Sequence, residues 1–172
     1  MRDTEDRRRD GIPGIAELPD LLGLGPGELL FVDSAPLIYL VEGEGRRRVA
    51  MAALYGAAGR GELRLAASVL AWTELLRKAD KGEKSLSLRR LLADSSRLVL
   101  LPIDVAVADG AATLLRGALR PGPSLPDALH LASALVAGAA AILTNDTAFR
   151  SFAPRGLRII ILDELAASIS ML

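Results

Sequence analysis

Short apolar runs alternate with longer amphipathic segments along most of the chain. The runs that predict buried strands cover residues 29–32, 63–68, 98–101, 141–143 and 157–162. Between them, apolar side chains recur every three or four residues, which is the spacing of a helix. Strands that alternate with helices predict right-handed crossovers and parallel pairing. The fold class is therefore α/β, a three-layer α/β/α sandwich with a mostly parallel central sheet.

The predicted helices begin and end at recognisable residues. Ser34 and Pro36 open the first, because serine caps a helix and proline is tolerated in its first turn. We expect it to include Leu40 and Val41. Further helices are predicted over residues 46–58, 69–78, 81–95, 104–119 and 124–137, with a short one after the last strand.

Residues 1–28 differ from the rest of the chain. They are rich in alternating charge, glycine and proline, and acidic residues outnumber basic ones there. This composition predicts a flexible or loosely docked extension, although Ile12, Ile15, Leu18, Leu21 and Leu22 could place a short helical turn on the body. Residues 29–172 then form one domain, in which basic residues outnumber acidic ones.

Composition excludes several kinds of chemistry. The 172 residues include no cysteine, which excludes disulfides, thiolate metal sites and a cysteine nucleophile. No apolar run reaches the roughly 18 residues that a membrane span requires. No apolar block follows the basic N-terminal residues, so we expect no signal peptide, no membrane association and a cytoplasmic protein.

Four acidic residues occupy comparable positions in the predicted sheet. Asp33 ends the first strand, and Glu74 lies one turn into the helix after the second. Asp127 opens the helix before the fourth strand, and Asp146 follows that strand. The carboxyl ends of parallel strands share one edge, where α/β proteins build their sites. We therefore expect the four carboxylates to form one pocket.

Each acid also has a purely structural interpretation. Asp33 can cap the next helix, and Glu74 can pair with Lys78 at the i,i+4 spacing. Ser124 and Asp127 resemble a capping box. Asp146 can cap the turn that follows it. The hypothesis of a shared site therefore depends on the joint placement of the four residues.

Clustered carboxylates raise one another's pKa unless a positive charge lies among them. A hard divalent cation with oxygen ligands solves this problem, and Mg²⁺ or Mn²⁺ is the usual ion. Such an ion can activate water to attack a phosphodiester. Asp33, Glu74, Asp127 and Asp146 are thus the candidate catalytic residues and metal ligands.

Other polar residues have two interpretations each. His130, the only histidine, lies near the candidate site, and we interpret it as structural rather than as a general base. Basic residues in two segments are either a solvated face or contacts to the phosphates of an anionic partner. These phosphate-binding candidates are Arg46, Arg47, Arg77, Lys78 and Lys81.

The acidic residues lie in segments that together resemble PIN-domain ribonucleases, and most closely the VapC-like toxins of toxin–antitoxin pairs. The segments are Phe-Val-Asp-Ser-Ala-Pro-Leu-Ile-Tyr (31–39), Ala-Ala-Ser-Val-Leu-Ala-Trp-Thr-Glu (66–74), Leu-Pro-Asp-Ala-Leu-His-Leu-Ala-Ser-Ala (125–134) and Ala-Ile-Leu-Thr-Asn-Asp (141–146). The resemblance covers about residues 29–165, and the extension of residues 1–28 is not typical of such toxins.

The resemblance implies an endoribonuclease that holds Mg²⁺ or Mn²⁺ and cuts RNA. It also implies that Ser34 and Thr144 support the acidic pocket through hydrogen bonds and that Asn145 orients its loop. Family members usually form homodimers, and a small antitoxin protein would cover the acidic edge or a groove beside it.

Two other functions remain open from the sequence. The first is a PIN-like module that binds RNA or protein without cleavage. The second is an α/β phosphohydrolase of another family. The second is disfavoured because Ala35 stands where an aspartyl-phosphate enzyme would have a second aspartate, two residues after Asp33.

Overall fold

The computed structural model describes residues 18–79, 82–118 and 122–169. These residues form five strands and nine helices. The strands are β1 (Leu29–Val32), β2 (Arg64–Ser68), β3 (Val99–Leu101), β4 (Ala141–Thr144) and β5 (Arg158–Ile161). The helices are α1 (Leu18–Leu22), α2 (Ser34–Ile38), α3 (Gly45–Gly59), α4 (Leu70–Lys78), α5 (Glu83–Ala93), α6 (Val105–Gly117), α7 (Leu125–Val136), α8 (Phe149–Phe152) and α9 (Leu162–Ile169).

The strands form one sheet in the order β3-β2-β1-β4-β5, and every neighbouring pair is parallel. In the centre, Phe31 of β1 pairs with Ala66 of β2 on one side and with Ile142 of β4 on the other. This arrangement confirms the predicted parallel sheet. It also brings the carboxyl ends of β1 and β4 next to each other.

Helices cover both faces of the sheet. Successive side chains of a strand point to opposite faces, so a strand of apolar residues packs against helices on both sides. Leu30 and Val32 of β1 belong to a core cluster shared with α3, α4, α5 and α9. Phe31, between them, packs with Leu131 and Ala134 of α7 on the other face. The structure is therefore the predicted three-layer sandwich.

The predicted helices are present, but α2 is shorter than expected. It ends at Ile38, and residues 39–42 form turns instead of including Leu40 and Val41 in the helix. The next residue, Gly43, passes so close to Tyr39 that a side chain there would clash with the Tyr39 carbonyl oxygen. Helix α3 begins two residues later, at Gly45. The short helix α8 was not predicted.

The last part of the N-terminal extension contacts the core. Leu18 and Leu22 of α1, with Leu24 after it, are buried in the same cluster as β1 and α3. Residues 1–17 lie outside the described part of the chain. The prediction of a flexible or loosely docked extension therefore stays a prediction. Within the described ranges, no helix is long and apolar enough to span a membrane.

Candidate active site

Asp33 is the first residue after β1 and occupies the N-cap position of α2. Both Ser34 and Asp33 were predicted as possible caps; the extended backbone of Asp33 makes it the cap, and Ser34 is the first residue of the helix. Oδ1 of Asp33 accepts a hydrogen bond from the Ser34 N–H at 2.7 Å, and Oδ2 accepts one from the Thr144 hydroxyl at 2.8 Å. The residue is only 8% exposed. Burial is the main reason why the pKa of Asp33 is raised above its ordinary value.

Glu74, on α4, lies beside Asp33 at the same edge of the sheet. His130 of α7 is between them: its Nε2 is 2.8 Å from Oε2 of Glu74 and 3.7 Å from Oδ1 of Asp33. The hydrogen bond to His130 lowers the pKa of Glu74, and a hydrogen bond with the Ser34 side chain acts in the same direction. Two carboxylates that are 41 residues apart in sequence are thus directed at one point.

The position of one hydrogen on His130 follows from this contact. An ionised carboxylate only accepts hydrogen bonds, so Nε2 of His130 must be the donor to Glu74. Nδ1 is buried and has no hydrogen-bond partner among the described residues. The ring instead packs edge-on against Phe31, with centroids 6.1 Å apart. His130 therefore acts on the candidate site through Nε2 and Glu74.

Sequence reasoning placed His130 near the site but not between its two acids. The available signal was the spacing: His130 is three residues after Asp127, so both lie on one face of α7. Since Asp127 was predicted to face the edge of the sheet, the same argument applies to His130. The contact with Glu74 could not be read from sequence, because it also depends on how α4 packs beside α7.

Thr144 connects Asp33 with the loop after β4. Its hydroxyl donates to Asp33 and accepts a hydrogen bond from the Asp146 N–H at 3.1 Å. Oδ1 of Asp146 accepts from the N–H of Ala148 at 2.8 Å and so caps the turn before α8. The Asp146 side chain is thus engaged locally, while its backbone is tied to Asp33.

Asp127 is part of a capping box, the structural alternative that its sequence indicated. Oδ2 of Asp127 accepts from the backbone N–H of Ser124 at 3.0 Å and from the Ser124 hydroxyl at 2.6 Å. The Asp127 N–H donates back to the Ser124 hydroxyl at 3.3 Å. These bonds satisfy the free backbone groups at the start of α7 and fix Asp127 one turn before His130.

The structure therefore brings Asp33 and Glu74 together, and it links Asp146 to them only through Thr144. In the described ranges, no three His, Cys, Asp or Glu side chains are arranged to hold a metal ion. The single pocket of four acids stays a prediction. The chemistry of the donors nevertheless suits a hard cation: all four are carboxylates, and Asp33 is a buried one. Of the described side chains, no Lys or Arg forms an ion pair with Asp33 or Glu74.

The remaining predicted residues belong to the loop after β4 and to the helices α3 and α4, apart from Lys81. Asn145 accepts a hydrogen bond from the backbone N–H of Asp163 at 3.2 Å. Arg77 and Lys78 are exposed in the last turn of α4, the helix that includes Glu74. Arg46 and Arg47 are in the first turn of α3. Lys81 lies outside the described residues.

Comparison with known protein families identifies the class of protein. The sequence model of the PIN domain matches residues 30–153, most of the chain. The chain belongs to the PIN-domain family. No curated protein sequence matches it.

Solved structures with a similar fold come from bacterial toxin–antitoxin complexes. VapBC2 of Rickettsia felis, bound to a promoter DNA fragment, is 15% identical with a TM-score of 0.58, covering 77% of this chain and 98% of that one. DNA-bound VapBC of Salmonella typhimurium is 18% identical with a TM-score of 0.56, covering 78% and 98%. A Klebsiella pneumoniae toxin–antitoxin complex is 23% identical with a TM-score of 0.55, covering 74% and 94%. At these identities the similarity establishes the fold.

Proposed function

We propose that this protein is a metal-dependent endoribonuclease, the VapC-like toxin of a type II toxin–antitoxin pair. The observation that supports this most is the convergence of Asp33 and Glu74 on one point at the carboxyl edge of a parallel sheet. PIN-domain toxins are generally nucleases. The similar solved structures are complexes of a toxin with its antitoxin.

In this proposal, Asp33 and Glu74 are the central ligands of Mg²⁺ or Mn²⁺, with Asp127 and Asp146 completing the set. When bound, the ion supplies an activated water and neutralises charge on the phosphodiester. The Thr144 hydroxyl and the Ser34 backbone N–H hold the Asp33 carboxylate through hydrogen bonds. His130 fixes the direction of Glu74 by donating from Nε2.

The substrate in this proposal is RNA. Arg77 and Lys78 are exposed on the same helix as Glu74, so a strand that reaches the acids could place neighbouring phosphates on them. Lys81 and the α3 residue Arg46 extend the set of candidate contacts, whereas the guanidinium of Arg47 is already paired with Asp163. Phosphate contacts of this kind make affinity fall as salt increases.

The direct test is cleavage of a labelled single-stranded RNA by purified protein with Mg²⁺ or Mn²⁺. Asp33→Asn should abolish cleavage. Asp109→Asn should not, because Asp109 is an exposed acid on α6 and is not one of the candidate ligands. Equal cleavage by wild type and Asp33→Asn would refute the site assignment.

The alternative is a PIN-like module that binds RNA or protein without cutting. The absence of an assembled group of three ligands among the described residues is the observation that favours it. Calorimetric titration with Mn²⁺ separates the two functions. A nuclease should bind the ion, and Glu74→Gln should weaken this binding, whereas a pure binding module should show no specific binding.

The antitoxin partner, the homodimer and the cytoplasmic location belong to the same proposal. A small protein encoded by the neighbouring gene should co-purify with this chain and suppress RNA cleavage. Light scattering of the purified chain should give the mass of a dimer. A monomer would leave the nuclease proposal intact but would refute the homodimer.

A further inference from the structure

We infer that Asp163, held in place by Arg47, is a positioning residue for the loop of Asn145 and Asp146. Asp163 lies in the first turn of α9, and its backbone N–H donates to Oδ1 of Asn145. Asn145 is the residue between Thr144, which contacts Asp33, and Asp146. This inference rests on the proposed nuclease site, since it concerns the loop that the site includes.

Arg47 fixes the side chain of Asp163 from the opposite side. Its Nε and Nη2 donate to the two carboxylate oxygens of Asp163, the second at 2.7 Å. Its Nη1 donates to the Tyr39 hydroxyl at 2.8 Å, and the guanidinium lies 5.1 Å from the centre of the Tyr39 ring. A planar guanidinium that makes two parallel bonds to a carboxylate defines an orientation, which a lysine ammonium cannot do.

The contacts form a continuous series across the fold. Tyr39 follows α2, Arg47 is in the first turn of α3, Asp163 is in the first turn of α9, and Asn145 follows β4. Because both Arg47 and Asp163 are half-exposed, the ion pair itself contributes little to the free energy of unfolding. Its effect is geometric: it fixes the start of α9, and the Asp163 N–H then fixes the loop beside Asp33.

This role differs from the phosphate contact that the sequence indicated for Arg47. All three of its donor nitrogens already have partners. The two roles predict opposite results for Asp163→Asn. If Arg47 grips phosphate, removing the charge of its partner frees the guanidinium and tightens RNA binding. If Arg47 and Asp163 position the loop, the same change loosens the loop and leaves RNA binding unchanged.

The experiment compares Asp163→Asn and Arg47→Lys with Glu164→Gln. Glu164 is the matched control: it is the next residue of α9 and forms an exposed ion pair with Arg150 at 2.6 Å, whereas the N–H that donates to Asn145 is that of Asp163. Three quantities are measured on the full chain. They are hydrogen exchange of the amides at 144–146 by mass spectrometry, kcat and KM on a labelled single-stranded RNA, and the Kd of that RNA in an Asp33→Asn background.

We expect Asp163→Asn and Arg47→Lys to speed amide exchange at residues 144–146 and to lower kcat about tenfold. This is the lower end of the effect of losing a residue that orients a metal ligand. KM and Kd should stay within about twofold, and Glu164→Gln should match wild type. Unchanged exchange in both variants, or tighter RNA binding by Asp163→Asn, would overturn the inference. If the wild type does not cleave RNA at all, the proposed function fails, whereas the exchange measurement still decides the role of Asp163.

Discussion

The hydroxyl of Thr144 donates to the buried carboxylate of Asp33 at 2.8 Å and accepts from the backbone N–H of Asp146 at 3.1 Å. One small side chain at the end of β4 thus joins the residue that ends β1 to the loop that follows β4. The adjacency of these strands in the parallel sheet makes this possible. Thr144 is fully buried, so neither of its hydrogen bonds can be replaced easily by water.

Replacing Thr144 by valine keeps the shape of the side chain and removes the hydroxyl. We expect the free energy of unfolding to fall by about 1–3 kcal/mol, because a buried carboxylate oxygen loses its donor. Thr144→Ser is the control: it keeps the hydroxyl and loses one methyl group, which is worth about 0.8 kcal/mol. Urea unfolding at neutral pH measures both. Equal losses in the two variants would contradict the importance of the hydroxyl.

Asp33 and Glu74 should affect stability in opposite directions as pH changes. The folded-state pKa of Asp33 is raised from 3.8, mainly by burial. The favourable contribution of Asp33 to the free energy of unfolding is therefore complete below pH 3.8. It is lost as pH rises through the folded-state pKa. The folded-state pKa of Glu74 is lowered from 4.5, mainly by His130. Its contribution is present above 4.5 and is lost as pH falls through the folded-state pKa.

At neutral pH and with a chelator present, Asp33→Asn should therefore unfold at higher urea than wild type, and Glu74→Gln at lower urea. Both differences should shrink in acid, where the wild-type carboxyl groups become protonated. A pH series of urea unfolding curves checks the prediction. A less stable Asp33→Asn at neutral pH would show that the hydrogen bonds of Asp33 outweigh the cost of its burial.

His130 should matter through the hydrogen on Nε2. His130→Leu removes the donor to Glu74, and we expect the affinity for Mn²⁺ or the RNA-cleavage rate to fall about 10–100-fold, as for other residues that orient a ligand. His130→Gln offers an amide N–H in its place and should retain more of both. Calorimetry with Mn²⁺ and an RNA-cleavage assay are the measurements. Wild-type values for the leucine variant would make His130 a packing residue only.

The capping box at the start of α7 should contribute to stability. Ser124→Ala removes the side chain that pairs with Asp127, at an expected cost of about 1 kcal/mol in the free energy of unfolding. Ser124→Thr preserves the hydroxyl and should behave as wild type. Thermal unfolding followed by circular dichroism gives the comparison. If the two variants unfold alike, the capping bonds of Ser124 do not contribute to stability.

The fold was predictable because both periodicities were clear in the sequence. The apolar runs at residues 29–32 and 141–143 are buried on both faces, as expected for central strands of a parallel sheet. The early end of α2 at Ile38 was harder to predict, since it accompanies a close approach between Gly43 and Tyr39. The helix α8 was missed because it has only four residues.

The sequence was sufficient to predict which strands are followed by acidic residues. It was not sufficient to predict which side chains of the site contact one another. The positions of Asp33 and Asp146 follow from the order of strands and loops. The contact of Glu74 with His130 depends on the relative positions of α4 and α7, which no local pattern specifies. Asp163 directly follows the predicted last strand, residues 157–162, as Asp33 follows the first, so the same argument applied to the last strand would have identified it.

The burial of His130 between two carboxylates has a practical use, because the chain contains no other histidine. Its imidazole resonances in a nitrogen-15 NMR spectrum therefore come from one known position and need no assignment by mutagenesis. A ligand that reaches Glu74 or Asp33 must alter the surroundings of that ring. The two imidazole nitrogen signals of His130 can thus report on ligand binding at the candidate site, in the free protein and in any complex.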